Sequence, residues 1–436
     1  MTVDTASDHI AINGGRDVTG DIHISGSKNA GLALMAATLL ASGTTTIEGI
    51  PPVSDVNNMS RILQCLGANV SHVDETLNID TTRAKSHPIP EELGGRLRAS
   101  ILILGPLVAR FGYAKLSLPG GCTIGKRPVE EHIRGIEKLG ASVNVKDGYI
   151  EAHASTLRGA SVHLQTPSVT GTMSVLMAGC LAHGVTRIQN AALEPEVADL
   201  VNFLISLGAD ISGVGTDQLT VVGRGAMLSP GQYKVMEDRI EAGTFLILGA
   251  MCGNTLTVHR CKAEYHMVLI KQLRAVGALV DISVNSIVVR KAERPFPVDI
   301  ETGPYPAFPT DLQPQFMVLL SLASGQSHVV ETIFEERFGH CSGLKAMGAG
   351  VQINGQTAVV SGVEKLSAAL VSGSDLRAAA SLILAAIAAN GVSVVSGMKY
   401  VKRGYYDLET KLEQIGVQLY RLPAIEKQQV PTQKQL

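Results

Sequence analysis

The feature that most constrains the fold of this chain is a pattern that occurs six times along its 436 residues. In each copy, an apolar stretch with helical periodicity ends in a glycine, and a small or aliphatic residue follows. Successive glycines lie 68 to 73 residues apart, whereas solenoid repeats are roughly 20 to 50 residues long. Each copy should therefore be a supersecondary unit with its own helices and strands. The six glycines are Gly67, Gly140, Gly208, Gly277, Gly348 and Gly416.

A second pattern runs in step with the first. An apolar helix stops at a glycine, and an alternating strand follows, as in ATLLASGTTTI and AAIAANGVSVV. The six glycines of this pattern are Gly43, Gly112, Gly184, Gly253, Gly325 and Gly391. We expect each of these glycines to adopt the left-handed conformation that commonly ends a helix. The helical stretches, such as ASILILGPLVA, are apolar on nearly all sides, which is typical of helices buried in a core. The sheets should then lie outside the helices in an α/β fold.

The six units divide naturally into two sets of three, and the length of the chain suits two or three domains. The irregular stretch GRGAMLSPGQYKVMEDR separates the two sets. We predict a first domain over residues 28–234 and a second over residues 235–422, to which residues 1–27 return. The polar residues 423–436 should form a tail outside both domains.

Charge and hydropathy argue against several classes of protein. The formal net charge is -2 and there is no run of Lys or Arg, so nothing favours binding to nucleic acid or to a membrane surface. The first residues lack the basic and apolar regions of a secretion signal, and no stretch approaches ~18 uninterrupted apolar residues. We therefore predict a cytoplasmic protein.

The six cysteines are scattered through the chain, mostly in apolar segments such as RILQCLGA. They should be reduced core residues rather than a disulfide framework. Neither C-x-x-C nor H-x-x-x-H occurs, so the sequence contains no zinc or haem signature.

The strongest local indication of chemistry is LPGGCTIGKRPVEEH, residues 118–132. Three glycines and two prolines around Cys122 indicate a flexible turn. The neighbouring Lys126 and Arg127 would favour the thiolate, which suits a nucleophile or an acid in a reaction. The alternative is a surface turn with an incidental thiol.

Cationic residues recur where strands lead into apolar helices. In ISGSKNAGLALM, Ser27 and Lys28 stand at a predicted helix start, which suits an anionic ligand, although the local pattern alone favours a capping turn with a surface lysine. Several arginines at such junctions would together hold a small polyanion, while each alone suits a cap or an ion pair. They are Arg98, Arg239, Arg337, Arg377 and Arg403.

A stiff loop with four prolines, TGPYPAFPTDLQPQF, leads to Asp311 near a predicted helix start. The local pattern favours a role for Asp311 as the N-cap of that helix. The same carboxylate would also serve as a base that accepts a hydroxyl proton from a substrate. The two roles do not exclude each other.

Taken together, these segments resemble the UDP-N-acetylglucosamine 1-carboxyvinyltransferase family of the enolpyruvyl transferase superfamily. The similarity extends from about Ile12 to Gly416, and the motifs occur in the order of the family. They are SGSKNA, SDV (residues 54–56), PGGCTIGKRPV, DRIEAGTF, PYPAFPTD, RFGH, SDLRA and RGY. The resemblance implies a two-domain inside-out α/β barrel with three units per domain, in agreement with the six units counted above.

The resemblance also implies the reaction and the site. Such enzymes transfer the enolpyruvyl group of phosphoenolpyruvate to the 3′-hydroxyl of UDP-N-acetylglucosamine, with no cofactor, no metal and no obligate protein partner. By the matching motifs, Cys122 would be the acid, Asp311 the base, and Lys28 a contact to phosphoenolpyruvate. The implied substrate-binding residues are Asn29, Arg98, Arg127, Pro128, Val129, Ser168, Val169, Ile333, Arg337, Arg377 and Arg403.

Three positions depart from the pattern of the family. Thr166 stands where several relatives carry lysine, Glu130 and Glu131 are more acidic than is common there, and Lys402 precedes Arg403 where an acid is frequent. Two alternatives therefore stay open. One is an enolpyruvyl transferase with another acceptor, such as a uridine nucleotide, and the other is a regulator that binds the sugar nucleotide without turnover.

Overall fold

The computed structural model describes residues 8–120, 124–125 and 128–422. Its strands are mostly short and are distributed along the whole described chain. They are β1 (His9–Gly14), β2 (Val18–His23), β3 (Thr44–Glu48), β4 (Asn69–Val73), β5 (Thr76–Asp80), β6 (Tyr113–Ser117), β7 (Ser142–Lys146), β8 (Tyr149–His153), β9 (Ser161–His163), β10 (His183–Gln189), β11 (Asp210–Ser212), β12 (Gln218–Arg224), β13 (Gln232–Lys234), β14 (Gly253–His259), β15 (Leu279–Ile282), β16 (Ser286–Arg290), β17 (Ile300–Glu301), β18 (Gln326–Val330), β19 (Gly350–Asn354), β20 (Thr357–Ser361), β21 (Leu370–Ser372), β22 (Gly391–Ser396) and β23 (Gln418–Arg421).

Helices alternate with these strands, and five short 3-10 helices join them among the described residues. The α-helices are α1 (Lys28–Ala37), α2 (Ser54–Cys65), α3 (Glu91–Gly94), α4 (Leu104–Phe111), α5 (Glu130–Lys138), α6 (Val169–Leu181), α7 (Pro195–Ser206), α8 (Arg239–Cys252), α9 (Met267–Ala275), α10 (Gln313–Leu320), α11 (Cys341–Ala346), α12 (Leu376–Ala388), α13 (Met398–Val401) and α14 (Leu408–Gln414). The 3-10 helices are Thr38–Leu40, Arg98–Ile103, Ala263–His266, Thr310–Leu312 and Arg337–His340.

The six units each build one sheet, which confirms the count made from the sequence. Five sheets have four described strands, and the sheet β6-β8-β7 has three. In the sheet β13-β3-β5-β4, three strands are antiparallel and β13 adds a parallel edge beside β3. The sheets β11-β12-β10-β9 and β17-β18-β20-β19 repeat this order. The similar spacing of the sequence pattern therefore reflects one strand order used repeatedly.

The first two strands complete sheets whose other strands come from the second half of the chain. β1 pairs antiparallel with both β22 and β23, and β2 runs parallel to β14. Within residues 28–234, the last strand, β13, pairs with β3 near the start of this segment. These pairings support our proposal that residues 28–234 and residues 1–27 with 235–422 form two domains.

The apolar helices lie inside and the sheets outside, as predicted. In α1, α6, α8, α10 and α12 nearly every residue is buried. Within residues 235–422 the helices α8, α10 and α12 pack on one another, and within residues 28–234 α4 packs on α6. Full burial of one leucine or isoleucine stabilises a fold by about 1.5 to 3 kcal/mol, so these helices favour the interior strongly. The architecture is the inside-out α/β fold.

The glycines of the first repeated pattern all have positive φ, between 88° and 101°. The second pattern was predicted to place left-handed glycines as well, and this prediction is wrong at two positions. Gly253 has φ -75° and Gly325 is not among the glycines with positive φ. At Gly253 the helix α8 passes directly into β14, and a Cβ there would lie 2.4 Å from the Gly249 carbonyl oxygen. Gly253 is therefore required by close backbone approach.

The described cysteines agree with the prediction of reduced core residues. Cys180, Cys252, Cys261 and Cys341 are buried free thiols, and Cys65 is partly buried. Among the residues that the structure describes, no helix combines the length and the apolar character needed to cross a membrane.

Asp199 on α7 holds the segment that connects β13 with α8. Its carboxylate accepts hydrogen bonds from the Tyr233 hydroxyl (2.8 Å) and from the Met236 backbone N–H (3.3 Å). Burial raises the pKa of Asp199 to about 6, and these hydrogen bonds offset only part of that cost. The connection between the two halves is therefore held by a carboxyl group whose pKa is raised on folding.

We expect Asp199→Asn to change how stability depends on pH. The folded pKa of about 6 exceeds the ordinary value of 3.8, so wild-type protein loses stability as the pH rises from about 4 to 7. The free energy of unfolding of Asp199→Asn minus that of wild type should therefore increase by up to about 3 kcal/mol across this range. Urea unfolding at several pH values measures it. Parallel curves for the two proteins would contradict the expectation.

Candidate functional site

The first cluster of charges joins the start of α1 to the start of α2. Ser27 caps α1 by accepting a hydrogen bond from the Ala30 N–H, and Lys28 follows as the first helical residue. The Lys28 Nζ lies 3.2 Å from Asp55 Oδ2, and the Arg403 Nε lies 2.9 Å from Asp55 Oδ1. The Asp55 carboxylate therefore holds two cationic side chains side by side. Burial would raise its pKa, but Lys28 and Arg403 outweigh burial and lower it.

This cluster joins parts of the chain that are far apart in sequence. Ser54, next to Asp55, donates two hydrogen bonds to the Lys402 carbonyl, from its N–H (3.0 Å) and from its hydroxyl (3.1 Å). The turn that carries Arg403 is thus held by the start of α2. The Lys402 position, which departs from the family pattern, contributes its backbone oxygen to this contact.

The second cluster consists of one carboxylate between two arginines. Asp311 Oδ1 lies 2.6 Å from Arg337 Nη2, and Asp311 Oδ2 lies 3.0 Å from Arg377 Nη2. The Arg337 side chain is 2% exposed and that of Arg377 6%, whereas the Asp311 side chain is 30% exposed. The two guanidinium groups are therefore buried behind a carboxylate that faces an opening.

The pKa of Asp311 is held well below its usual range. Burial alone would raise this pKa, but the positive charges of Arg377, Arg337 and then Lys28 outweigh burial. Because the positive charge of Lys28 also lowers the pKa of Asp311, the two clusters interact electrostatically. Together they form one strongly cationic region with two carboxylates.

The interpretation of Asp311 as a helix N-cap is wrong. Asp238 and Asp375 stand at comparable helix starts and do act as caps, since their carboxylates accept hydrogen bonds from backbone N–H groups of α8 and α12. Asp311 instead lies in the 3-10 helix Thr310–Leu312 before α10, and its carboxylate contacts Arg337 from the same unit and Arg377 from the next unit. In two units the aspartate caps a helix, whereas in the third unit it contacts two arginines.

The most prominent predicted residue, Cys122, lies outside the described residues, as do Lys126 and Arg127. The described neighbours Ile124 and Gly125 contact the segment before Arg337. The Ile124 carbonyl accepts a hydrogen bond from the Glu336 N–H (3.2 Å), and a Cβ on Gly125 would lie 2.3 Å from Glu335 Oε2. Ile124 is buried. This part of the loop is therefore closed against the segment that leads to Arg337.

The other side of this loop is in contact with Arg98. The Arg98 Nη2 donates a hydrogen bond to the Pro128 carbonyl (3.0 Å). Val129, next to it, is buried and precedes α5. Arg98 is thus placed beside the loop, and the structure does not show it in contact with the Asp311 cluster.

The departures at Glu131 and Thr166 belong to one local arrangement. The Glu131 carboxylate accepts hydrogen bonds from the N–H groups of Gln165 (3.1 Å) and Thr166 (3.3 Å), and it pairs with Arg134 (2.5 Å). Ser168 caps α6 just beyond this turn by accepting a bond from the Gly171 N–H, and Val169 is the first residue of α6. Glu131 therefore shapes the turn that leads to the predicted residues Ser168 and Val169.

Glu331 is a residue that the sequence analysis missed. It is fully buried, and its carboxylate accepts hydrogen bonds from the Ile333 N–H (2.9 Å) and the Thr310 hydroxyl (3.0 Å). It thereby ties the predicted residue Ile333 to the residue before Asp311. Asp55 was likewise noticed only as part of a motif. For both Glu331 and Asp55, the only signal in the sequence was a polar residue within an otherwise apolar or capping pattern.

The remaining predicted residues occupy less central places. Asn29 is the second residue of α1 and is partly exposed. Arg239 pairs with Glu196 (3.0 Å) and lies over the Tyr305 ring, so it joins the two halves of the chain. Among the described residues, no three His, Cys, Asp or Glu side chains are grouped so that they would hold a metal ion.

Comparison with known families identifies the type of protein. Residues 12–412 match the family model of EPSP synthase (3-phosphoshikimate 1-carboxyvinyltransferase). The chain is 44% identical over 415 residues to a UDP-N-acetylglucosamine 1-carboxyvinyltransferase from Desulfosudis oleivorans, an alignment that covers 95% of this chain and 99% of the relative. It is 45% identical over 417 residues to the protein of the same name from Dichelobacter nodosus, with 95% and 99% covered.

Solved structures of similar architecture agree with this result. The enolpyruvyl transferase NikO from Streptomyces tendae superimposes with a TM-score of 0.86 at 26% identity, over 94% of this chain and 98% of that one. EPSP synthase from Acinetobacter baumannii superimposes with a TM-score of 0.73 at 17% identity, over 94% and 99%. The latter shows a shared fold.

Proposed function

Because the chain belongs to the EPSP synthase family of enolpyruvyl transferases, we propose that it transfers the enolpyruvyl group of phosphoenolpyruvate to the 3′-hydroxyl of UDP-N-acetylglucosamine. Inorganic phosphate is the second product. This is the reaction of its relatives by name, and it is the first committed step of peptidoglycan synthesis. The reaction belongs in the cytoplasm, because both substrates are phosphorylated and do not cross membranes freely.

The observation that carries the proposal is the meeting of four cationic side chains at the boundary between the domains. Lys28 and Arg403 lie on one carboxylate, while Arg337 and Arg377 lie on another. Phosphoenolpyruvate carries a phosphate and a carboxylate on a small frame, and guanidinium groups bind both in bidentate geometry. A cationic region of this density suits that substrate.

Asp311 is the proposed base for the acceptor hydroxyl. While Arg337 and Arg377 hold it, its lowered pKa makes it a weak base. An anionic substrate that engages the same arginines would release the carboxylate and increase its basicity. The base would then be activated only when the substrate is present, which limits side reactions.

The addition step needs an acid as well as a base. We assign this role to Cys122, whose thiol would give a proton to the methylene carbon while the hydroxyl oxygen bonds to C2 and its proton passes to Asp311. In the elimination that follows, the methyl carbon returns a proton to the Cys122 thiolate, the C–H electron pair forms the new C=C bond, and the C2–O bond breaks with its electron pair leaving on phosphate. Positive charges around the intermediate stabilise it, a role for which Arg127 and Arg98 join the four cations above.

An acceptor comparison tests the function. We expect phosphate release from phosphoenolpyruvate in the presence of UDP-N-acetylglucosamine, and release at least about 100-fold slower with UMP or shikimate 3-phosphate, because a site built to bind polar groups rejects analogues that lack them. Colorimetric phosphate detection measures the rates. Phosphate release with UMP but not with UDP-N-acetylglucosamine would establish a different acceptor. No release with any acceptor would favour a regulator that binds the sugar nucleotide without turnover.

A further inference from the structure

Tyr405 is a buried tyrosine that no step of the proposed reaction uses. It lies in the turn between α13 and α14, two residues after Arg403, and it is 3% exposed. The next residue, Tyr406, is exposed. A buried hydroxyl is costly unless it is hydrogen-bonded, so the partners of the Tyr405 hydroxyl show what its burial achieves.

The hydroxyl of Tyr405 uses its full hydrogen-bonding capacity. The Thr244 hydroxyl gives its single hydrogen to the Ile240 carbonyl (2.8 Å), so the Tyr405 hydroxyl must donate to Thr244 Oγ1 (2.8 Å). It accepts from Gln315 Nε2 (3.3 Å) and from Arg377 Nη1 (3.2 Å). One donor and two lone pairs are thereby satisfied.

These partners come from three different units. Thr244 lies on α8, Gln315 on α10 and Arg377 on α12, which are the inner helices of the second domain. The Tyr405 hydroxyl therefore lies where the three inner helices meet. Its ring also lies beside the guanidinium of Arg377, with 5.5 Å between the ring centre and the guanidinium carbon.

The opposite nitrogen of the same guanidinium contacts Asp311. Arg377 Nη1 is held by Tyr405 and Arg377 Nη2 by Asp311 (3.0 Å). A planar guanidinium fixed at one nitrogen has its other donors fixed in direction as well. The orientation that Arg377 presents to the cleft is thus set from behind by Tyr405.

We propose that Tyr405 is a positioning residue for the transfer reaction, because its hydroxyl orients the Arg377 guanidinium towards the anionic substrate and Asp311. The inference rests on the proposed function. The Tyr405 hydroxyl acts through Arg377, whose Nη1 it holds. Its loss would leave the Arg377 guanidinium charged, buried and held by Asp311 at Nη2 only.

The test compares Tyr405→Phe, which removes only the hydroxyl, with Thr244→Val. Both variants break a hydrogen bond of the same buried network, but Thr244→Val keeps the bond between Tyr405 and Arg377. We expect Tyr405→Phe to raise KM for phosphoenolpyruvate by on the order of tenfold, as for loss of one hydrogen bond to a charged group, with KM for UDP-N-acetylglucosamine changed less than about twofold. Thr244→Val should change KM for phosphoenolpyruvate by no more than about threefold.

Two results would overturn the proposal. One is an unchanged KM for phosphoenolpyruvate in Tyr405→Phe. The other is an equal rise in both variants, which would indicate a general effect of stability. Calorimetric titration with phosphoenolpyruvate in the absence of an acceptor makes the same comparison without turnover. If wild-type protein releases no phosphate, the proposed function fails, while the dissociation constants of the variants still decide the role of Tyr405.

Discussion

Replacing Asp311 by Asn is expected to lower the rate of phosphate release by on the order of 10³-fold, because the acceptor hydroxyl then has no base. Asparagine is nearly the same size, so the shape of the cleft should be kept. Its neutral side chain also leaves Arg337 and Arg377 without a compensating charge. Both arginines are buried, so the variant should unfold at a lower temperature.

Steady-state phosphate release measures the first effect, and thermal unfolding with and without phosphoenolpyruvate measures the second. Phosphoenolpyruvate should stabilise Asp311→Asn more than wild type, since the ligand supplies the missing negative charge. The matched control is Asp375→Asn, because Asp375 caps α12 and asparagine caps helices equally well. A rate within tenfold of wild type in Asp311→Asn would remove Asp311 from the role of base.

Replacing Asp55 by Asn should destabilise the protein by about 3 kcal/mol, because the carboxylate is buried between Lys28 and Arg403. The folded pKa of Asp55 is lowered, so its contribution is present above the ordinary value of 3.8 and is lost as the pH falls through the folded pKa. The difference between variant and wild type should therefore be full at pH 7 and shrink in acid.

Urea unfolding at pH 7 and in acid measures this difference. Ser60→Ala is the matched control, because Ser60 lies on the same helix and its hydroxyl bonds only to the Val56 carbonyl within α2. That change should cost no more than about 0.5 kcal/mol. Equal unfolding midpoints for Asp55→Asn and wild type would show that the pairing of Asp55 with Lys28 and Arg403 does not stabilise the protein.

The two clusters share one structural principle, which is that charged side chains stand at the starts of helices. Lys28 is the first residue of α1, Asp55 the second of α2, and Arg377 the second of α12. Backbone N–H groups at helix starts favour anions, and side-chain cations add to that field. The inside-out arrangement brings these helix starts together, so the proposed substrate site is a consequence of the fold.

Asp311 is a residue whose role is not determined by the local sequence. An aspartate before an apolar helix is typical of an N-cap, and for Asp238 and Asp375 this interpretation would have been correct. Nothing near Asp311 in the sequence distinguishes it from them. The difference lies in Arg337, 26 residues later in the same unit, and Arg377, 66 residues later in the next unit, which approach Asp311 only in the folded structure.

By itself, the sequence determined the six units, the buried helices and the outer sheets, because burial imposes a periodic pattern on neighbouring residues and glycine marks the ends of helices. The motifs also predicted that Lys28, Asp311 and the arginines are catalytic or substrate-binding residues. Only the tertiary structure decided which charges pair. The partners Asp55 and Arg403 are 348 residues apart, and such a contact depends on how separate units pack, a property that no local pattern encodes.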